Sequence, residues 1–294
     1  MESSPRHSSL AQEIQADLQR CVKTYPDLFS APPMAAVPGR LAGAIAAGAP
    51  EHSAAELRPA ARTSLWIFGV DYLIDHRAVT GDEVTGIVTR CFADGGDADG
   101  GDDDLTRFLA ELRADLAAAP AFADLEPVWR EERDRMLLAM SHEFRWKELL
   151  GLVRGAPRRP VPGFQVSLDD YLANSDNFGS TWVNTAHWIA LGDPGELEHL
   201  AELRAASRVV QTALRLLNDL ATRDREADWG DLNALTLGAE PAWVRSQIDE
   251  LAARARAMVE PLRAPCPRAA AYLLRQFDYS DGFYSRGQDY WGQL

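Results

Sequence analysis

The chain has 294 residues, 46% hydrophobic and 25% charged, which is the balance of a globular protein long enough to bury a large core. Its formal net charge of −14 argues against a nucleic-acid partner, because phosphate backbones select basic surfaces. Cys21, Cys91 and Cys266 show no CxxC spacing, and no stretch approaches ~18 uninterrupted apolar residues, so zinc sites, disulfide frameworks and membrane spans are not expected; a reducing, cytoplasmic setting is.

The N-terminus carries Pro5, Arg6 and His7 with no apolar run behind it. Residues 1–25 are therefore expected to form a partly disordered segment, and 26–294 a single domain with no composition shift inside it. After the break at Ala31-Pro-Pro-Met34 comes the apolar run Ser64-Leu-Trp-Ile-Phe-Gly-Val-Asp-Tyr-Leu-Ile-Asp75. Asp71 and Asp75, four residues apart, share one face of a helix with Cβ atoms ~6 Å apart. Like charges at that spacing repel, and a divalent cation removes the penalty, since magnesium takes one or two carboxylates and completes its shell with water and phosphate. Read alone, the pair is more readily a helix end facing water than a metal site.

The acidic run Asp94–Asp104 lacks the glutamate that a calcium-binding EF-hand requires at its twelfth loop position, and reads as a solvated connection between helices. Helix formers then fill 104–119, 126–153, 195–227 and 240–262, punctuated by the proline cluster 156–163, Gly192-Asp-Pro-Gly195 and Ala264-Pro-Cys-Pro267. Alternating β-branched patterns are scarce and no repeat is present. The fold class expected is all-α, with about ten or more helices.

Within the third of these segments lies Leu214-Arg-Leu-Leu-Asn-Asp-Leu-Ala-Thr-Arg-Asp-Arg-Glu226. Asn218, Thr222 and Glu226 recur at i, i+4 and i+8 and project from one face. Amide, hydroxyl and carboxylate oxygens are hard donors suited to Mg²⁺ rather than zinc or copper. Leucines 214, 216, 217 and 220 place the upstream half of this helix in the core, so the polar triad is expected to line an interior cavity; a solvated polar face is the plainer alternative. Arg223 and Arg225 are interleaved with the triad, and guanidinium groups suit phosphate oxygens.

Asn218-Asp219-xx-Thr222-xxx-Glu226 resembles the second metal motif of class I terpene synthases, and Asp71-Tyr-Leu-Ile-Asp75 resembles a degenerate form of their aspartate-rich motif. Glu143-Phe-Arg-Trp146, Ser167-Leu-Asp-Asp-Tyr-Leu172, Asp228-Trp-Gly-Asp-Leu-Asn233 and Phe283-Tyr-Ser-Arg-Gly-Gln-Asp-Tyr290 are similar to further family elements. The likeness spans roughly 60–291 and departs at two places. Tyr72 stands where the family has a second aspartate, and Ser175 stands where it often has an arginine sensing the diphosphate.

The resemblance implies a single-domain helical bundle around a central cavity. Three Mg²⁺ ions would be held there by Asp71, Asp75, Asn218, Thr222 and Glu226. Arg223, Arg225, Arg286 and Tyr290 are the expected diphosphate-binding residues. Trp66, Phe68, Tyr72, Phe178, Gly179, Trp182 and Trp188 are the expected walls of the hydrocarbon pocket; for each aromatic, plain core packing is the competing reading. His187 and His142 are candidates for a final base, against the same competing reading. The implied substrate is an isoprenyl diphosphate, C20 (geranylgeranyl diphosphate) ahead of C15 (farnesyl diphosphate) on the strength of Ser175, and the implied product is a hydrocarbon or alcohol. Many members of the family are homodimers. A trans-isoprenyl diphosphate synthase is disfavoured by the Asn-Thr-Glu second motif, and a non-catalytic helical lipid-binding protein would explain Tyr72 and Ser175.

Overall fold

A computed structural model describes residues 5–93 and 103–291, and among them there are helices and no strand. The α-helices in chain order are α1 (Pro5–Thr24), α2 (Pro26–Phe29), α3 (Val37–Gly48), α4 (Arg58–Tyr72), α5 (Gly81–Phe92), α6 (Asp104–Ala117) and α7 (Phe122–Leu150). They continue as α8 (Leu168–Ala173), α9 (Ser180–Leu191), α10 (Pro194–Leu197), α11 (Leu200–Trp229), α12 (Pro241–Val259) and α13 (Pro267–Tyr284). These 13 agree with an expectation of about ten or more; α2, α8 and α10, with 4, 6 and 4 residues, are too short for hydrophobic periodicity to register.

Local chemistry sets the ends. Thr80 and Glu83 form a reciprocal capping box at the start of α5, and Ser167 accepts from the Asp170 amide at the start of α8. Gly230 ends α11 in the left-handed region at φ +77°, where a Cβ would stand 2.6 Å from the Leu152 carbonyl oxygen. The stretch expected as one helix over 195–227 is two, α10 and α11. The helix expected through 262 tightens to a 3₁₀ turn, Glu260–Leu262, because Pro261 has no amide hydrogen to continue it.

Most of the segment 1–25, expected to be partly disordered, is described and helical. Residues 5–24 form α1, with Leu10, Ile14, Leu18 and Cys21 buried at helical spacing against α3 and α4. Arg62 of α4 fixes this corner by pairing with Asp17 of α1 at 2.8 Å and with Glu111 and Asp115 of α6. Most of the acidic run, residues 94–102, lies outside the described residues, as do residues 1–4.

Helices α3, α4, α9, α11 and α13 pack around a shared interior. Helix α4 meets α3 and α9, α11 meets α9 and α13, and α13 meets α3. Helix α7 backs α9 and supplies buried polar residues from behind. No helix among the described residues is long and apolar enough to cross a membrane.

Candidate active site

The ring of helices encloses a cavity of about 220 Å³. Asp71 from the end of α4, Asp75 and His76 from the turn that follows it, Asn218, Arg225, Glu226 and Trp229 from α11, and Asp231 from the loop beyond it make one end acidic. Leu41, Ile45, Ile67, Phe68, Phe178, Val183 and Leu214 make the rest largely apolar. Both sequence motifs therefore border one cavity, from helices far apart in the chain.

In the second motif, Asn218 Nδ2 lies 3.2 Å from the Tyr284 hydroxyl of α13, which leaves its Oδ1 available as an oxygen donor. Thr222 is buried, donates its hydroxyl to the Asn218 carbonyl at 2.7 Å and is hydrogen-bonded to the Glu226 carboxyl; its side chain stands behind the cavity lining. Burial first, and the nearby Asp219 second, push the Glu226 carboxyl up to about 8. Asp219 is itself pushed up to about 7 by burial, although it accepts from the Tyr171 hydroxyl at 2.9 and 3.0 Å and from the Ala234 amide.

In the first motif, burial holds the Asp71 carboxyl well above its ordinary range, and Asp75 and Asp231 add to the effect. Asp71 makes no hydrogen bond or ion pair within the described residues, whereas Asp75 Oδ1 lies 3.0 Å from the ammonium of Lys147. Helix α4 passes into a π-turn, Leu73–Arg77, so Asp75 leaves the regular α-helical register that the sequence spacing assumed.

The donor set suits a hard divalent cation, since it consists of carboxylate, amide and hydroxyl oxygens with no thiol. Like-charged carboxyls crowded into a buried space, with raised pKa values, are what such a cation relieves. Among the described residues no three carboxyl, imidazole or thiol groups form a cation cage by themselves, so phosphate and water oxygens must complete any metal shell.

The expected anion-binding residues divide. Arg225 lines the cavity, with its guanidinium 4.4 Å from the Trp229 ring centre and 2.7 Å from Asp289. Tyr290 lines it too, packed on Phe68 and Phe283. Arg223 and Arg286 are exposed and do not line it. On a helix, position 225 lies about 20° round from Asn218 while 223 lies about 140° away, so interleaving in sequence did not mean sharing a face.

The expected pocket aromatics divide likewise. Phe68 and Phe178 line the cavity, but Trp66, Tyr72, Trp182 and Trp188 do not. Trp182 stands in a second layer between Trp66 and Trp129, each at 5.4 Å between ring centres, and Tyr72 packs on His76 and Trp291 outside the lining. Gly179 forms the break before α9 at φ +74°, where a Cβ would meet Ile67 and Met136 at 2.7 Å. Neither candidate histidine reaches the cavity. His187 stacks on Tyr272 at 3.9 Å with its pKa pushed down to about 3 by burial, beside a separate pocket of about 10 Å³ that holds no more than a water, and His142 is exposed.

Sequence reasoning passed over several cavity residues. Arg215, 4% exposed, pairs with Glu143, donates to the Tyr171 carbonyl at 3.0 Å and lies 3.6 Å over the Tyr171 ring. Its position, three before Asn218 and four before Asp219 on the same helical face, was the available signal. Ser175 is no substitute for an arginine, because its hydroxyl is spent on the Leu172 carbonyl at 2.6 Å. Trp291 and Asp289 also line the cavity, on a C-terminal stretch that Arg40 of α3 holds through the carbonyls of both residues.

An all-helical bundle whose central cavity is acidic at one end and apolar beyond defines a class I terpene synthase, a terpene cyclase of the lyase class. No protein-family profile matches the chain. Over 289 residues, 96% of this chain and 93% of the relative, it is 30% identical to the ent-pimara-9(11),15-diene synthase of Streptomyces sp. (strain KO-3988), and it belongs to the bacterial diterpene synthases.

Proposed function

We propose that the protein binds a C20 isoprenyl diphosphate with the diphosphate at the acidic end of the cavity and the hydrocarbon in the apolar part, and breaks the allylic C–O bond. The supporting observation is that Asp71 of α4 and Asn218 and Glu226 of α11 line the same cavity. Asp71, Asn218, Thr222 and Glu226 would hold Mg²⁺, three ions by the family resemblance, which supplies Lewis-acid stabilisation of the departing diphosphate. The C20 length follows the Ser175 departure and the diterpene synthase named above.

The chain's own groups do the rest. Arg225 and Arg215 offer positive charge where the diphosphate sits. Phe68 and Phe178 present ring faces to the allylic cation left behind, worth ~0.5–2 kcal/mol per well-placed ring. The apolar lining excludes water until the cation loses a proton to give a hydrocarbon or captures water to give an alcohol.

The test is incubation with Mg²⁺ and linear C10, C15 and C20 diphosphates, with and without isopentenyl diphosphate as the C5 unit that elongation would consume, followed by gas chromatography of the products and of the dephosphorylated prenyl alcohols. A C20 hydrocarbon or alcohol is the expected product. Longer prenyl diphosphates would identify an elongating enzyme, and no turnover of any substrate a binding protein.

A further inference from the structure

We propose that Lys147 is a built-in cation of the first motif: it occupies Asp75 and leaves Asp71 as the carboxylate of α4 that meets the metal ions. This rests on the metal reading above and assigns roles within it that the paired spacing of the aspartates conceals.

Lys147 belongs to α7, outside the ring of helices that bears the two motifs, and is 2% exposed. Its ammonium donates to Asp75 Oδ1 at 3.0 Å and to Asp231 Oδ1 at 2.6 Å. One buried point charge thus joins the end of α4 to the loop that follows α11. A buried ammonium is tolerated only when paired, and here two carboxylates pair it.

The two aspartates are in different circumstances. Asp75 sits in the π-turn, which packs on α7 and brings its carboxylate to Lys147. Asp71, one turn earlier and still on the α-helix, has no hydrogen bond or ion pair in the described residues and lines the cavity. A cation approaching the first motif finds one carboxylate open and the other already neutralised. Lysine suits this post because its ammonium is a compact charge with three donors, two of which are used here.

The experiment titrates Mn²⁺ with inorganic diphosphate as the probe, following the loss of the free-ion signal by electron paramagnetic resonance. Asp71→Asn is expected to weaken binding at least about a hundredfold, and Asp75→Asn less than about tenfold. Lys147→Met, which leaves Asp75 and Asp231 without a cation, is expected to bind Mn²⁺ in the absence of diphosphate. That new site should disappear when Asp75→Asn is added, and Lys147→Arg should not create it. Equal losses in Asp71→Asn and Asp75→Asn would overturn the proposal while leaving the metal site in place. If Asp71→Asn binds as the parent does, the metal reading fails and the proposal with it. Should Lys147→Met not fold, the comparison of the two aspartate variants decides alone.

Discussion

The side-chain amide of Asn233 lies 2.7 Å from Oε2 of Glu226 and 2.9 Å from the carbonyl of Asp219. The loop beyond α11 thereby fixes the last member of the second motif, seven residues back in the chain. Gly230 makes the return geometrically available by taking a left-handed conformation. Asn233→Ala is expected to lower kcat about 10- to 100-fold and raise the Mg²⁺ concentration needed for half-maximal rate, as loss of a group that orients a metal ligand does. Steady-state kinetics across a Mg²⁺ series checks this, with circular dichroism to show that the helices persist. An unchanged Mg²⁺ dependence would place Asn233 in a purely structural role.

Stability should depend on pH in an unusual sense. Glu226, pushed up to about 8, and Asp219, pushed up to about 7, keep protons in the folded state that the unfolded chain releases near ordinary carboxylate values. The folded state then binds more protons, so its stability is full at low pH and is lost as pH rises through about 7 to 8. The melting temperature of metal-free protein is expected to fall between pH 6.5 and 9, and Mg²⁺ with diphosphate should flatten the decline by favouring the ionised carboxylates. A melting temperature that rises over this range would contradict the buried, protonated state of the pair.

That Asn218 and Glu226 line the cavity was readable because they recur on one face of a helix whose leucines mark the buried side, whereas the place of Thr222 behind the lining was not. Long helices such as α7 and α11 were readable for the same reason. Lys147 was not: within Glu143-Phe-Arg-Trp-Lys-Glu148 it looks like one more charge on an amphipathic helix, and its two partners come from elements 72 and 84 residues away. Trp66, Tyr72, Trp182 and Trp188 fall outside the cavity lining for a related reason. A tryptophan near a motif can face the cavity or the layer behind it, and the sequence carries no sign of which neighbour it meets. The π-turn that separates the surroundings of Asp71 from those of Asp75 has no composition signature either.

Trp182 and Phe178 should therefore respond differently to truncation. Trp182→Ala, in the second layer, is expected to cost about 3–5 kcal/mol of stability. Phe178→Ala, on the cavity wall, is expected to change the product mixture with a smaller loss of stability. Thermal melts and chromatographic product profiles separate the two. A changed profile with unaltered melting for Trp182→Ala would move that residue to the wall.

Gly179→Ala tests the helix break. The positive φ and the 2.7 Å approach to Ile67 and Met136 predict a loss of more than about 1 kcal/mol. Ile67 lines the cavity, so its displacement should also alter the product distribution. A variant with parental melting and products would show that the break tolerates a side chain.

The proposed reaction requires two motifs to act on one diphosphate. Release of inorganic diphosphate from linear and pre-cyclised C20 diphosphates, measured for the parent, Asn218→Ala and Glu226→Gln, tests that claim most directly. The parent is expected to release it with Mg²⁺ and not with chelator, and either variant to be slower by at least about a hundredfold. Parental rates in both variants, or release that ignores the chelator, would contradict it.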